Sequence, residues 1–429
     1  MINSSFRDTD TIISRVARGG KAVYGGRMPG TGTFVIVGAS LAGAKAAETL
    51  RAEGFAGRVV LVGEEERLPY ERPPLSKGLL LGSAEPESTL VHDREWYAAS
   101  DVELRLGTRV TEVDAERRVV RAGDDEIAYD RLLLATGSRP RRLLGGDENV
   151  LYLRGLDDSL RLLAVLGTGG HLTIIGSGWI GLEVAAAARE RGVAVTVVAP
   201  EAVPLQRVMG ERIGGVFADL HREHGVDFRF GSGVQELRGS EVVLDGGEIL
   251  RTDHVLVAIG AEPNVGLARR AGLAVGDGVL VDALHRTSDP AIFAAGDVAA
   301  VEHPGYGERI RVEHWANALH SGPAAALSML GRGSPWTNVP YFFTDQYDLG
   351  MEYAGRLTPG ATVVIRGDLA GRECIVFWVD HGRVVAGMNV NVWDVTDQIQ
   401  DLIRAGFHGH RVDEIRLADP DVPLPELLP

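Results

Sequence analysis

The chain has 429 residues, 45% of them hydrophobic, so it is long enough to form several domains with packed cores. Its 59 acidic residues exceed its 44 basic residues, and the net charge of -15 argues against binding to nucleic acid or to anionic membranes, since both need a positive surface. A single cysteine, Cys374, excludes an intramolecular disulfide, a CxxC redox pair and a cysteine-rich metal site, so redox chemistry would need a bound cofactor.

The N-terminal segment mixes Ser, Arg and Gly and has no apolar run of the length that a secretory signal needs. We expect residues 1–32 to form a disordered leader and the protein to be cytoplasmic. The longest apolar segment, residues 172–188, is interrupted by three glycines and a glutamate. This pattern predicts a strand, a turn and a helix rather than a membrane span.

A glycine-rich turn, GASLAG at residues 38–43, follows a strand-like run at residues 33–37 and precedes a helical pattern and a second strand at 59–62. The first glycine permits a tight turn and the last lets the helix pack close to the strand, so helix N–H groups can meet a pyrophosphate. Glu64 stands where an acidic side chain accepts hydrogen bonds from an adenosine ribose. Ser40 replaces the usual middle glycine, which narrows the backbone's approach to phosphates.

The same unit recurs later in the chain. A run at residues 171–175 leads into GSGWIG at 176–181, then a helical pattern and a strand at 195–198. Two complete units predict two dinucleotide sites. The alternative is a pair of tight strand–helix turns that hold no ligand.

Three more buried strands end in glycine turns, at residues 129–140, 256–264 and 287–297. Together with LPYERPPLSK at 68–77 and YFFTDQYDLGMEYAG at 341–355, these segments resemble the two-dinucleotide flavoproteins, and among them the FAD-dependent NAD(P)H:ferredoxin reductases. The resemblance runs from about residue 33 to the C-terminal region.

The resemblance implies an α/β fold with two Rossmann-like dinucleotide-binding domains and a C-terminal α+β domain. It places a discontinuous FAD-binding domain at 33–142 and 265–334, an NAD(P)H-binding domain at 143–264 and the C-terminal domain at 335–429.

Family positions around FAD can be carried over residue by residue. Asp297 matches the aspartate bonded to the ribityl chain, although a strand-end turn residue is the plainer interpretation, and Arg139 matches an arginine near the phosphates. Phe343 stands where the family usually has tryptophan. The full set that the resemblance assigns to FAD is Gly38, Leu41, Ala42, Gly43, Glu64, Lys77, Val110, Thr136, Gly137, Arg139, Gly296, Asp297, Trp315 and Phe343.

The second unit would bind the nicotinamide cofactor. Trp179 matches an aromatic position that covers the flavin until nicotinamide displaces it, or it simply packs at the turn. Glu201 follows Gly181 by 20 residues and could reach a ribose 2′-hydroxyl, so NADH is favoured over NADPH, although Arg207 is close. The set assigned to NAD is Gly176, Gly178, Trp179, Ile180, Gly181, Glu183, Glu201 and Gly260.

Lys77 and Glu183 are the catalytic candidates. In the family the lysine of the PPLSK motif lies beside the flavin and pairs with a glutamate of the second glycine-turn helix. A compact ammonium would favour the negative charge of a reduced flavin, and the glutamate would keep the lysine from standing alone.

The resemblance implies a reaction in which NADH reduces FAD and the electrons pass singly to a small 2Fe-2S ferredoxin that serves a monooxygenase or dioxygenase. Two other functions stay open: direct reduction of a quinone, a radical or oxygen, and a flavin-dependent signalling role like that of apoptosis-inducing factor. No metal site is expected, and the protein would be a monomer or homodimer. An acidic ferredoxin would need a local positive spot, for which Arg72, Arg94, Arg309 and Arg311 are candidates.

Overall fold

The computed structural model describes residues 31–143 and 150–429. The expected leader therefore lies outside the described residues, apart from its last two positions. Of these, Gly32 accepts a hydrogen bond through its carbonyl from the Arg58 amide at 3.0 Å, so it extends the start of the central strand of the first sheet. Among the described residues, no helix is both long and apolar enough to cross a membrane.

The first parallel sheet has five strands, and its central strand is Thr33–Val37. Its β-branched and aliphatic side chains are buried on both faces, as expected for a sheet covered by helices on both sides. The helix Leu41–Ala52 follows this strand and packs against the helix Trp315–Met329. In spatial order the strands are Ile292–Ala294, Arg131–Leu134, Thr33–Val37, Arg58–Val62 and Val102–Arg105.

The second parallel sheet repeats this arrangement around the strand His171–Ile175. The helix Trp179–Glu190 follows it and buries a row of alanines that lets helix and sheet approach closely. In spatial order the strands are Asp227–Phe230, Ala194–Ala199, His171–Ile175, His254–Val257 and Val150–Leu151.

The C-terminal part is an antiparallel sheet with the helix Thr396–Phe407 against it. Trp378 and Phe377 are fully buried in its core. The strands in spatial order are Tyr341–Gln346, Leu349–Gly355, Arg383–Val390, Glu373–Asp380 and Thr362–Asp368.

Smaller elements complete the described chain. The minor strands are Val110–Asp114, Val119–Ala122, Asp125–Ala128, Ser138–Pro140, Val234–Arg238, Glu241–Leu244, Ile249–Arg251, Ala261–Pro263, Val275–Gly276, Gly278–Val281, Ala299–His303 and Glu308–Arg311. The other helices are Gly78–Leu81, Arg94–Ala99, Leu156–Gly167, Gln206–Met209, Glu211–Glu223, Gly266–Arg270 and Glu414–Ala418, with 3₁₀ turns at Pro73–Ser76, Pro86–Thr89, Gly296–Val298 and Leu424–Leu427.

The two parallel sheets present the carboxyl ends of their strands to a common cleft. The segments that leave Leu134 and Val257 pair as an antiparallel ribbon, Ser138–Pro140 with Ala261–Pro263, which ties the two sheets together. Ligands of open α/β sheets bind at such carboxyl ends. The topology therefore places the glycine turns of both sheets beside one another.

Candidate active site between the two parallel sheets

A cavity of about 1230 Å³ lies at the carboxyl end of the first parallel sheet. It exceeds the roughly 300–1,000 Å³ of sites for drug-sized ligands, so a dinucleotide fits. Every residue assigned to FAD lines this cavity except Gly43, and Trp179, Ile180, Glu183 and Gly260 line it from the second sheet.

The glycines of the first turn are explained by contacts within the protein. A Cβ atom on Gly38, whose φ is +119°, would lie 2.0 Å from the Ala135 carbonyl oxygen. A Cβ atom on Gly43 would lie 2.0 Å from the Gly38 carbonyl oxygen, so this glycine brings the helix against the turn and does not face the cavity. Ser40, in the middle position, lines the cavity, and its side chain does not cap the helix.

In the second turn, two glycines are again required by close backbone contacts, whereas the third has free space at its Cβ position. Cβ atoms on Gly176 and Gly181 would each meet a carbonyl oxygen at 2.4 Å. Gly178 has nothing within 4 Å of its Cβ position and an ordinary φ of -80°. Because the protein itself does not require glycine there, the open space suits a ligand that approaches the backbone closely.

The cavity is locally basic although the chain is acidic. Such a concentration of guanidinium groups suits a pyrophosphate, which arginine binds through paired hydrogen bonds. The family resemblance implies only Arg139 for this purpose. The Arg139 guanidinium donates hydrogen bonds to Glu262 at 2.9 Å and to Asn264 at 3.0 Å. The arginines that line the cavity are Arg72, Arg109, Arg139, Arg141, Arg154, Arg270, Arg311 and Arg356.

The four arginines considered for partner docking do not form one outer patch. Arg72 and Arg311 line the cavity, and Arg311 is only 11% exposed and paired with Asp277 and Glu313. Arg309 lies 3.7 Å from a glutamate oxygen, while Arg94 is exposed at the start of a short helix. The role of these arginines in docking a partner stays a prediction, and two of the four line the cavity.

Asp297 lies just after the edge strand Ile292–Ala294 of the first sheet and is 7% exposed. Its Oδ2 atom accepts hydrogen bonds from Ser138 Oγ and from Arg154 Nη2, both at 2.7 Å. Arg154 Nε and the nearby His314 Nδ1 are buried and have no hydrogen-bond partner among the described residues. Burial lowers the pKa of His314 to about 4, so it is neutral and can accept or donate to a polar ligand.

Arg154 was missed by the sequence reasoning. The only local signal is a basic residue between the buried strand Val150–Leu151 and the helix Leu156–Gly167. Its contact with Asp297 spans 143 residues, which no local pattern reveals.

Lys77 and Glu183 form the predicted ion pair. Lys77 Nζ lies 2.7 Å from Glu183 Oε1, and the side chains are 16% and 4% exposed. Glu183 also accepts hydrogen bonds from Thr344 Oγ1 at 2.6 Å and from Ser76 Oγ. The pair is positioned by the proline-led 3₁₀ turn before Lys77, by the helix of the second glycine turn and by the first strand of the C-terminal sheet.

Aromatic side chains cover the same side of the cavity. The Trp179 ring packs against Phe217 at 5.5 Å and Phe342 at 5.0 Å between centroids. Trp315 and Phe343 meet edge to face at 6.0 Å, and Lys77 Nζ lies 5.4 Å from the Phe343 centroid. Both interpretations of Trp179 are compatible with this geometry, since it packs at the turn and also lines the cavity.

A second cavity of about 440 Å³ lies past the end of the strand Ala194–Ala199. It is lined by residues 200–202, 206 and 207, including Glu201 and Arg207, whose side chains pair at 2.7 Å. Glu201 is 20% exposed and Arg207 is 80% exposed, so the arginine covers the carboxylate from the solvent side. Glu201, which is expected to bind a ribose hydroxyl, and Arg207, which would attract a 2′-phosphate, therefore line the same cavity.

Within residues 31–143 and 150–429, no cluster of three or more His, Cys, Asp or Glu side chains has metal-binding geometry. His221 bonds to Gln346, and His224 stacks on Tyr347. Burial raises the pKa of the Cys374 thiol to about 11, so this cysteine is protonated and poorly reactive.

Comparison with known proteins gives two family matches. Residues 32–322 match the pyridine nucleotide-disulphide oxidoreductases, and residues 341–428 match the reductase C-terminal domain. The anthranilate 1,2-dioxygenase system ferredoxin–NAD(+) reductase component of Burkholderia cepacia is 41% identical, with 92% of this chain and 99% of that protein covered. Putidaredoxin reductase of Pseudomonas putida is 36% identical, with coverage of 92% and 96%.

Solved structures agree with these matches. The covalent complex of putidaredoxin reductase with putidaredoxin aligns with a TM-score of 0.87 at 36% identity, over 92% of this chain and 98% of that chain. The ferredoxin reductase of the CYP199A2 system from Rhodopseudomonas palustris aligns at 0.88 and 34%, over 92% and 99%. The predicted fold class and family are confirmed, and the chain belongs to the pyridine nucleotide-disulphide oxidoreductase family, in the group that carries the reductase C-terminal domain.

Proposed function

We propose that this protein is a flavoprotein oxidoreductase that passes electrons from NADH through FAD to a small 2Fe-2S ferredoxin, which in turn serves a monooxygenase or dioxygenase. The observation that carries the proposal is the buried Lys77–Glu183 pair in a basic cavity between two glycine turns. The relatives named as ferredoxin–NAD(+) reductase components and as putidaredoxin reductase support the choice of acceptor. Bound FAD would accept two electrons together and release them one at a time.

The first glycine turn and its surroundings would hold FAD. The N–H groups at the start of the helix Leu41–Ala52 and the cavity arginines would bind the pyrophosphate. Glu64, now paired with Arg109 at 3.1 Å, would accept the ribose hydroxyls, and Asp297 would do the same for the ribityl chain. The cavity volume and the unpaired buried nitrogens of Arg154 and His314 fit such a polar, anionic group.

The second glycine turn would hold NADH. Gly178 leaves space for a phosphate at the helix start, and Glu201 would accept the ribose 2′-hydroxyl. The carboxylate would repel a 2′-phosphate, while Arg207 would attract it, so NADPH is the weaker alternative.

Lys77 would act by its charge. Glu183 holds the Lys77 side chain in a place that is 16% exposed, where the field of its charge is less screened than in water. A positive charge near the flavin favours the uptake of electrons. Glu183 itself would not react; it holds the lysine in place.

The domain boundaries follow from the same proposal. FAD would be bound by residues 33–142 and 265–334, the nicotinamide cofactor by 143–264, and residues 335–429 would cover the flavin side. We place the protein in the cytoplasm, where NADH is available.

Anaerobic stopped-flow mixing with NADH or NADPH tests the proposal directly. Rapid bleaching of the flavin absorbance by NADH, with a weaker response to NADPH, is expected, and Glu201→Ala should narrow that difference. Cytochrome c reduction that needs added ferredoxin would support the electron-transfer role. Equally fast quinone or oxygen reduction without ferredoxin, or a long-lived reduced complex with slow turnover, would instead support the small-acceptor or signalling alternatives.

A further inference from the structure

A row of buried polar side chains continues from Glu183 into the protein, away from Lys77. Thr344 Oγ1 lies 2.6 Å from Glu183 Oε1, Gln346 Nε2 lies 3.1 Å from Thr344 Oγ1, and His221 Nε2 lies 2.8 Å from Gln346 Oε1. The three added side chains are 0%, 1% and 0% exposed. None of them belongs to the dinucleotide contacts described above.

The direction of each hydrogen bond follows from the chemistry of the groups. Glu183 is paired with Lys77 and can only accept, so Thr344 donates its hydroxyl hydrogen to Glu183. The Thr344 oxygen must then accept from the Gln346 amide nitrogen, which turns the Gln346 amide oxygen toward His221. That oxygen requires a protonated Nε2 on His221.

The other ring nitrogen agrees with this assignment. With Nε2 protonated, Nδ1 of a neutral His221 is an acceptor, and the Tyr347 hydroxyl lies 3.4 Å from it. Burial lowers the pKa of His221 to about 4, so the ring is neutral near pH 7. Every donor in the row therefore points toward Glu183.

The row joins three parts of the chain. Thr344 and Gln346 are alternate residues of the strand Tyr341–Gln346, so they share the face that meets the two helices described next. His221 lies in the helix Glu211–Glu223, and Glu183 in the helix of the second glycine turn. Aligned hydrogen bonds in a low-dielectric interior polarise one another, so the row stabilises the carboxylate more than Thr344 alone would.

We propose that Thr344, Gln346 and His221 are positioning residues that fix and stabilise the Glu183 carboxylate, and thereby set how strongly Lys77 favours the reduced flavin. The inference rests on the proposed function, because it concerns the same site. If the row is broken, fewer hydrogen-bond donors share the negative charge of Glu183. The carboxylate then attracts the Lys77 ammonium more strongly and draws it closer to itself. The bound flavin then becomes harder to reduce.

The test uses Thr344→Val, which removes the hydroxyl donor and keeps the side-chain shape, and Thr344→Ser, which keeps the donor. The midpoint potential of the protein-bound flavin is measured by equilibration with a redox dye, which needs neither NADH nor ferredoxin. Thr344→Val should lower the equilibrium constant for reduction about tenfold, or about 30 mV for two electrons, and Thr344→Ser should restore most of it.

Thr173→Val is the matched control. Thr173 is also 0% exposed, but its hydroxyl has no partner among the described residues and lies outside the row. This variant should leave the potential unchanged. An unchanged potential in Thr344→Val, or equal shifts in the Val and Ser variants, would overturn the inference.

Nitrogen NMR of His221 in the unmodified protein gives a second test that does not depend on any variant folding. A neutral ring protonated at Nε2 supports the directional row, and a ring protonated at Nδ1 would refute it. Normal flavin bleaching by NADH with no effect of Thr344→Val on the potential would refute the inference alone. A shifted potential without bleaching of the parent protein by NADH would refute the proposed function alone.

Discussion

Replacing Lys77 with methionine keeps most of the side-chain volume and removes its charge. Glu183, only 4% exposed, then keeps two hydroxyl donors but loses its cation at 2.7 Å. At an effective dielectric constant of about 20, two charges at this distance attract by about 6 kcal/mol, part of which offsets their desolvation. Removing one partner of a buried pair costs about 3–5 kcal/mol, and because the two donors remain we expect a loss of about 3 kcal/mol in the free energy of unfolding.

Urea unfolding followed by tryptophan and flavin fluorescence measures this loss. The double variant Lys77→Met/Glu183→Gln removes the stranded charge as well and should recover about half of the stability or more. Lys45→Met is the control, because Lys45 pairs with Glu48 at 2.6 Å on a more exposed surface, at 20% and 28%. Its cost should not exceed about 1 kcal/mol.

Equal losses in Lys77→Met and Lys45→Met would refute the reasoning, since they would show that burial does not strengthen the Lys77–Glu183 pair. A double variant no more stable than the single variant would also refute it. At the same time, Lys77→Met should be reduced by NADH more slowly and at a lower flavin potential. Unchanged reduction kinetics and potential would remove Lys77 from the mechanism while leaving its structural role intact.

Four other predictions concern three single substitutions and the pH dependence of stability. Gly178→Ala should fold as stably as the parent, because its Cβ meets nothing within 4 Å, yet weaken NADH binding about tenfold in a titration. Gly176→Ala should instead lower the unfolding free energy by about 2–4 kcal/mol, since its φ is +107° and its Cβ meets a carbonyl oxygen; equal stability of the two variants would contradict this. Asp297→Asn should lower the affinity for FAD about tenfold. The fraction of FAD that stays bound during gel filtration measures this loss, and full retention of FAD would exclude Asp297 from binding. The protein should lose stability as the pH falls from 6.5 toward 4, because burial lowers the pKa of His221 and His285 from 6.5 to about 4 and the unfolded chain then binds more protons. Each histidine should contribute about 1–2 kcal/mol between pH 7 and pH 5, and unfolding midpoints that do not fall over this range would disprove the account.

The local features of the two dinucleotide folds could be predicted from the sequence alone. The strands Thr33–Val37 and His171–Ile175 have the bounds that their β-branched runs indicate. The helices Leu41–Ala52 and Trp179–Glu190 begin earlier than the predicted helical patterns, inside the glycine turns themselves. The sequence pattern predicts a helix only after the last glycine of each turn, because glycine is a poor helix former.

What lies far apart in the sequence was decided by the tertiary structure. The Lys77–Glu183 pair was expected only through resemblance to a family, because no local propensity relates residues 106 positions apart. Thr344 at Glu183 and Arg154 at Asp297 were not foreseen at all. A strand's periodicity shows which side chains share a face, but not which surface that face meets.

The sequence by itself thus determined the two glycine turns, the parallel sheets behind them and the exclusion of an intramolecular disulfide, since glycine conformation, hydrophobic periodicity and cysteine number can be read without the tertiary structure. Only the tertiary structure decided that several arginines of an acidic chain gather in one cavity and that Glu183 is held by groups from two distant segments, Ser76–Lys77 and Thr344. The physical reason is that charge pairing and burial depend on distances set by the packing of whole sheets. The same packing makes the pair and its row of donors testable by single substitutions.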